Sequence, residues 1–361
     1  MTKPTLHLIG LFHTKVTEAY SHCAFTGKVL RFSKMMRAQG YEVIEYSNAG
    51  SESEASEHVE ILSDNEFEDL YGSRCASDFY GDVAVVGSKG HTLFETKLIP
   101  RLHSRLKPRD IVCHPFGHAH SRLLELFPLN QHVETGIGYP TTMPGAFHIY
   151  ESYAWMHYHQ GKENRAGSNY EWVIPNYFEI DDWEPCYESG PYLAFLGRIC
   201  KEKGLDTIRE IAERTSWPVI LHGQGDPSPW EHPNIIYRGP ISGKKRSTFL
   251  RNARAALMPT VFTEPFGGSG VEAMLCGTPL LSVDYGAFTE TVAQGVTGFR
   301  CKTLQEWLDA VEAVDKLDRK LIAEITRATY SLESCGVKYD KVFTDLYDLH
   351  DRGWYTLKKN P

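Results

Sequence analysis

The sixteen residues from Glu264 to Pro279, EPFGGSGVEAMLCGTP, constrain this chain more than any other stretch of it. A turn crowded with glycine runs directly into a short apolar segment, which closes at Cys276-Gly277 and a proline. That is the punctuation of a loop-to-helix corner in an α/β fold. Gly267, Gly268 and Gly270 let the backbone approach a ligand without Cβ atoms in the way, and a helix starting near Ser269 aims its free N–H groups at the same place. The natural occupant is an anion, most often a phosphate. Glu264 precedes the helix and Glu272 falls in its first turn, eight positions on, so two carboxylates can accept hydrogen bonds from hydroxyls beside that anion. A ligand both phosphorylated and rich in hydroxyls suggests a nucleotide sugar. The same residues also permit a plainer arrangement, in which Ser269 and Glu272 form an S-x-x-E capping box and bind nothing else.

A second stretch favours the ligand. In Tyr192 to Gly204, YLAFLGRICKEKG, an apolar run breaks at Gly197 and is followed by Arg198, Lys201 and Lys203, with a helix beginning near Leu205. A strand ending in Gly-Arg places a guanidinium at the carboxyl edge of a sheet, where open α/β folds bind ligands. Arginine offers phosphate a planar fork and lysine a point charge. Two cations match a diphosphate, while Lys201, Glu202 and Lys203 also suit an ordinary solvated helix entrance.

The ordered set GRICKEKG, EPFGGSGVEAMLCGTP and DYGAFTETVAQGVTGF resembles the retaining glycosyltransferases of family 4 over about Tyr192 to Arg300. The resemblance implies the GT-B architecture: two Rossmann-like α/β domains facing across a cleft, with a C-terminal helix crossing back to the first. It implies that Arg198 and Lys203 bind the diphosphate of a nucleotide-sugar donor. Glu264 then holds hydroxyls of the transferred sugar, and the amides around Phe266, Gly267 and Gly268 lie against sugar and phosphates. Glu272 accepts from the ribose. Glu290 answers to the glutamate after the family's Gly-Gly turn, although the turn here reads Tyr285-Gly286-Ala287.

At 361 residues, with 42% hydrophobic and 23% charged, the chain has the material for about two domains with sizeable cores. A net charge of −8 argues against a protein living by non-specific binding to nucleic-acid backbones. The one dense basic run, Gly243-Lys-Lys-Arg246, reads as a solvated helix face. Eight scattered cysteines without a C-x-x-C pair read as reduced thiols in a cytoplasmic protein. No stretch is long and apolar enough for a transmembrane segment.

Alternating strand and helix patterns place a first domain at 1–185 and a donor-binding domain at 186–338, with the tail 339–361 assigned to the first domain on resemblance. Expected strands include Thr5 to Leu11, Tyr41 to Tyr46, Asp82 to Val86, Ile111 to His114, Gln131 to Thr135 and Glu171 to Pro175. Asn48 to Asn65, acidic and rich in serine, reads as a surface excursion.

In the first domain, Thr26-Gly27-Lys28 has the ending of a phosphate-binding loop without its upstream glycine, so Gly27 and Lys28 are carried only as candidate cleft residues. The run Arg109 to His120 ends a strand in a histidine and continues with two more. By resemblance, either His114 or His118 lines the sugar site, with His114 favoured. Three histidines at this spacing, lacking a fourth ligand, point away from a metal centre.

The expected activity is transfer of a hexose, UDP-glucose being the first donor to try, by front-face attack with retention and no cofactor or essential divalent metal. The acceptor is open among a glycan, a lipid-linked glycan, a small molecule and a modified DNA base. Two alternatives stand beside it: a GT-B sugar-nucleotide epimerase and a non-catalytic sugar-nucleotide or glycan-binding protein.

Overall fold

The computed structural model describes residues 3–21, 23–72 and 83–352. The chain divides into two units, the first comprising Met1–Glu151, His159–Tyr177 and Leu332–Pro361, the second Ser152–Tyr158 and Phe178–Ser331. After the short excursion Ser152–Tyr158, the chain passes into the second unit at 177/178, ahead of the 185/186 boundary expected from the sequence. The returning segment begins at Leu332, where the sequence reading began it at Tyr339.

Among the described residues the first unit is built on seven parallel strands: β1 (Leu6–Ile9), β2 (Val43–Ser47), β3 (Glu57–Glu60), β4 (Ile111–Cys113), β5 (Gln131–Ile137), β6 (Phe147–Tyr150) and β7 (Glu171–Val173), in the order β3-β2-β1-β4-β5-β6-β7. β1, LHLI, is fully buried because helices cover both faces of the sheet. On one face Phe32 of the helix Ala24–Ala38 meets Tyr339 and Phe343 of the helix Leu332–Arg352, with ring centroids 5.5 and 6.2 Å away. Polar ties reinforce this docking, since Asp340 accepts from Lys3 Nζ at 2.5 Å and from the Tyr41 hydroxyl at 2.9 Å. On the other face Phe94, Leu98 and Leu102 of the helix Lys89–His103 close a second core with Ile9, Tyr46 and Val112.

The sequence reading missed two strands here. β3 lies inside the stretch read as a surface excursion, because an edge strand with only Val59 buried has no apolar signature. β6 is four residues long and follows a Pro-Gly turn. Conversely, residues 83–86 form no strand, and Val85 and Val86 are exposed; Asp82, where that strand was expected to start, lies outside the described residues.

The second unit has six parallel strands: β8 (Leu193–Leu196), β9 (Val219–His222), β10 (Ile235–Tyr237), β11 (Ala255–Met258), β12 (Leu280–Val283) and β13 (Gly298–Cys301), in the order β10-β9-β8-β11-β12-β13. Strand order reverses between β8 and β11, which pair directly. At such a switch point the loops leaving the two strands diverge and leave a crevice at their carboxyl ends. The loop after β8 carries Arg198 and Lys203, and that after β11 carries Glu264. The two motifs conspicuous in the sequence are thus the two loops the topology brings together.

Among the described residues all cysteines are free thiols, and no helix is long and apolar enough to cross a membrane. Cys75 lies outside the described residues.

Candidate donor site

The first loop starts where Gly197 donates its N–H to His222 O at 3.0 Å and ends β8. Arg198 follows and is exposed. A short 3-10 turn, Lys201–Lys203, leads to Gly204, whose φ of 80° only glycine adopts without strain. A Cβ there would also stand 1.9 Å from Pro259 O, at the end of β11. The two loops therefore touch backbone to backbone, and Val261 N donates to Glu202 O at 3.0 Å.

That contact delivers Lys203 to Glu264. Lys203 Nζ lies 2.7 Å from Glu264 Oε2, with both side chains largely buried, and sits 4.8 Å from the centroid of the Phe262 ring. The Glu264 backbone is held in turn by Ala287 N, which donates to Glu264 O at 3.2 Å.

Beyond Glu264 the chain passes Phe266, whose ring is buried against Tyr330 and Phe178. Gly267 caps the helix Gly268–Leu275 in the left-handed region at φ 82°, and a Cβ on it would reach within 2.6 Å of the Phe288 ring. No side chain caps this helix. Ser269 sits inside it, with Oγ 3.3 Å from Met258 Sδ, so the capping box the sequence allowed does not form. Glu272 turns instead to Arg246, whose Nε donates to Oε2 at 2.7 Å and whose Nη2 also contacts Oε2. The first-turn amides of Gly268–Leu275 remain the positive end of the helix.

Glu290 has a different occupation from the one the resemblance implied. Its Oε2 accepts from Tyr153 N at 2.8 Å and its Oε1 from Ala154 N at 2.7 Å, so the carboxylate caps the helix Tyr153–Lys162. Ser152 completes the cap by accepting from Trp155 N at 3.1 Å, while its hydroxyl donates to Pro265 O at 2.7 Å. Glu290 thus fixes a helix start that itself holds the loop between Glu264 and Gly267. Ser152 was missed by sequence reasoning, because nothing in the sequence points to a partner more than a hundred residues away.

In the first unit, Gly27 is buried in the helix Ala24–Ala38. Lys28, expected as a cleft cation, is buried instead: Nζ donates to Gly136 O at 2.6 Å and pairs with Glu151. A buried ammonium with a carboxylate partner is a structural ion pair, and this corrects the expectation for Lys28. His114 is likewise buried. His132 Nε2 donates to Phe127 O at 3.1 Å, so its Nδ1 accepts from His114 Nε2 at 2.9 Å. Burial, then the neighbouring His132 and His120, push the His114 pKa well down, which keeps it neutral. His118, the second candidate, is the exposed one.

His120 joins a buried group with His91 and Glu95, whose ligand-type atoms lie within 4.8 Å of one another. Hydrogen bonding disfavours a cation there. His91 Nδ1 accepts from Gly87 N at 3.1 Å, which leaves the proton on Nε2, and Nε2 donates to Ala119 O at 2.6 Å. Glu95 Oε1 meanwhile lies 3.4 Å from His120 Nδ1.

Residues 190–316 match the family described as Glycosyl transferases group 1. Across the whole chain the fold is GT-B: sucrose-phosphate synthase from Thermosynechococcus elongatus superposes with a TM-score of 0.69 over 96% of this chain and 99% of its own, at 14% identity. The Anabaena protein HepE in complex with UDP and glucose superposes with a TM-score of 0.63 over 94% and 99%, at 13% identity. Among curated relatives, the 2-deoxystreptamine glucosyltransferase of Streptomyces kanamyceticus is 31% identical over 121 residues, which is 30% of this chain and 31% of that enzyme. The chain spans less than half the length of the curated relatives it matches. The matched residues enclose Arg198, Lys203, Glu264, Glu272 and Glu290, and so contain the whole of the candidate donor site.

Proposed function

We propose that this protein is a glycosyltransferase that moves a hexose from a nucleoside diphosphate sugar to a hydroxyl acceptor, with retention of anomeric configuration as in family 4. The observation that carries the proposal is the 2.7 Å contact between Lys203 and Glu264. In a glycosyl diphosphate the sugar ring and the phosphate it leaves share one oxygen, so a cation for the phosphate and an acceptor for the sugar hydroxyls must be close neighbours. The β8 and β11 loops supply that pair, and the group 1 domain match supports reading it so.

Departure of the nucleoside diphosphate builds negative charge on the leaving oxygen. Arg198, Lys203 and the N-terminus of the helix Gly268–Leu275 are the groups that stabilise it. These fixed positive charges do the work a divalent ion does elsewhere, so turnover proceeds in a chelator. The acceptor enters on the face the diphosphate leaves. UDP-glucose is the first donor to test, a choice supported by the HepE complexes with UDP and glucose and with UDP-glucose.

Incubation with radiolabelled UDP-glucose, UDP-N-acetylglucosamine and GDP-mannose, in EDTA and with a panel of glycan, lipid-linked and small-molecule acceptors, tests this reading. Release of one nucleoside diphosphate with transfer of label supports it. Interconversion of donor sugars without any acceptor supports the epimerase instead.

A further inference from the structure

The basic run Gly243 to Arg246 separates into two kinds of residue. Lys244 and Lys245 are exposed, as a solvated helix face requires. Arg246 turns inward from the helix Gly243–Arg251 and engages Glu272 through two guanidinium nitrogens on the same carboxylate oxygen, Oε2. The pair lies between helices that are tied elsewhere: Ser247 Oγ is 3.8 Å from Cys276 Sγ, and the Thr278 hydroxyl donates to Leu250 O at 2.8 Å.

Glu272 follows Gly268 by four positions and so lies on the same face of its helix. Helical side chains lean toward the N-terminus, which directs the Glu272 carboxylate back toward the turn whose amides meet the donor. A carboxylate offers about four acceptor sites, so it can hold a guanidinium and sugar hydroxyls together. We propose that Arg246 is a positioning residue for ribose recognition, fixing the Glu272 carboxylate in the orientation that accepts the ribose hydroxyls of the donor nucleotide. This rests on the donor-site reading above. It gives the run Lys244-Lys245-Arg246 one functional member, and it makes the selectivity of the site for ribose over deoxyribose depend on a residue that need not touch the nucleotide.

The test compares binding of UDP and GDP with binding of their 2′,3′-dideoxy counterparts by calorimetry, in wild type, Arg246→Ala, Arg246→Lys and Glu272→Gln. Wild type is expected to prefer the ribonucleotide by at least about tenfold, the scale of hydrogen bonds to a charged acceptor. In Arg246→Ala the preference should shrink to roughly twofold while affinity for the dideoxy compound holds, because the diphosphate contacts are untouched. Glu272→Gln should do the same, and Arg246→Lys should recover part of the preference, having charge without the fork. Should Arg246→Ala not fold, Arg246→Gln takes its place. An undiminished preference in the folded Arg246 variant, alongside its loss in Glu272→Gln, overturns the role of Arg246 alone. Failure of the wild type to bind any nucleoside diphosphate overturns the donor-site reading and this inference together.

Discussion

Lys203 Nζ and Glu264 Oε2 stand 2.7 Å apart and join the loop after β8 to the loop after β11. Sixty-one positions separate them in sequence, and strand order alone makes them neighbours. If the pair were only a structural tie, reversing it would be harmless. The double variant Lys203→Glu/Glu264→Lys should therefore regain most of the melting temperature lost in either single variant, about 1–2 kcal/mol for a partly buried pair. It should nonetheless fail to bind a nucleoside diphosphate sugar, since the charges then face the wrong ends of the ligand. Melting curves and donor titrations on the three variants check this.

Glu290 caps the helix Tyr153–Lys162 through both carboxylate oxygens. Glu290→Gln keeps one acceptor and sets an NH2 group against a backbone N–H, so a loss of about 1–2 kcal/mol is expected in chemical denaturation. Ser152 links that helix start to Pro265 O, so Ser152→Ala should raise the donor KM more than it lowers stability, and Ser152→Thr should restore it. Steady-state kinetics on the two Ser152 variants provides the check.

At Gly267 a side chain meets two penalties, a φ of 82° and overlap with the Phe288 ring. Gly267→Ala is expected to cost about 2–3 kcal/mol and to abolish donor binding. Gly268→Ala, where a Cβ meets nothing within 4 Å, should fold normally. Paired denaturation curves separate the two.

Acid should destabilise the first unit through its buried histidines. Burial, with a smaller contribution from His120, lowers His13 to about 4, and burial lowers His132 to about 4. Between their ordinary value near 6.5 and about 4 the unfolded chain takes up protons that the folded chain refuses. Each of the two then removes up to roughly 3 kcal/mol, all of it regained above pH 6.5. Stability measured by denaturant should fall as pH drops from about 6.5 to 4, and His132→Gln should flatten that slope.

How much of this was legible depends on where the chemistry sits. β8 and the helix Gly268–Leu275 were readable because continuous apolar runs there end at Gly197 and at Cys276-Gly277. β3 was not, since an edge strand buries one residue in four. Arg198, Lys203 and Glu264 announce themselves by charge at loop positions and Glu272 by charge within an apolar helix, and the fold carries the first three on the two loops at the switch point. The partners Arg246, Ser152, His132 and Glu151 did not, because a side chain's distant partner is fixed by tertiary contact. Lys28 and Glu290 show the converse: a charged residue in a suggestive motif is engaged by a neighbour that sequence proximity does not reveal.

The most direct test of the central claim is a thermal-shift titration of the protein with UDP, GDP, UDP-glucose, UDP-N-acetylglucosamine and GDP-mannose, run beside Arg198→Ala. Saturating ligand at about 100 times its Kd should stabilise the folded state by about 2.7 kcal/mol. The account predicts selective stabilisation by one base, sharply reduced in Arg198→Ala, for which a loss of about 2–4 kcal/mol is expected. No stabilisation by any of the five, or equal stabilisation of the variant, would contradict it.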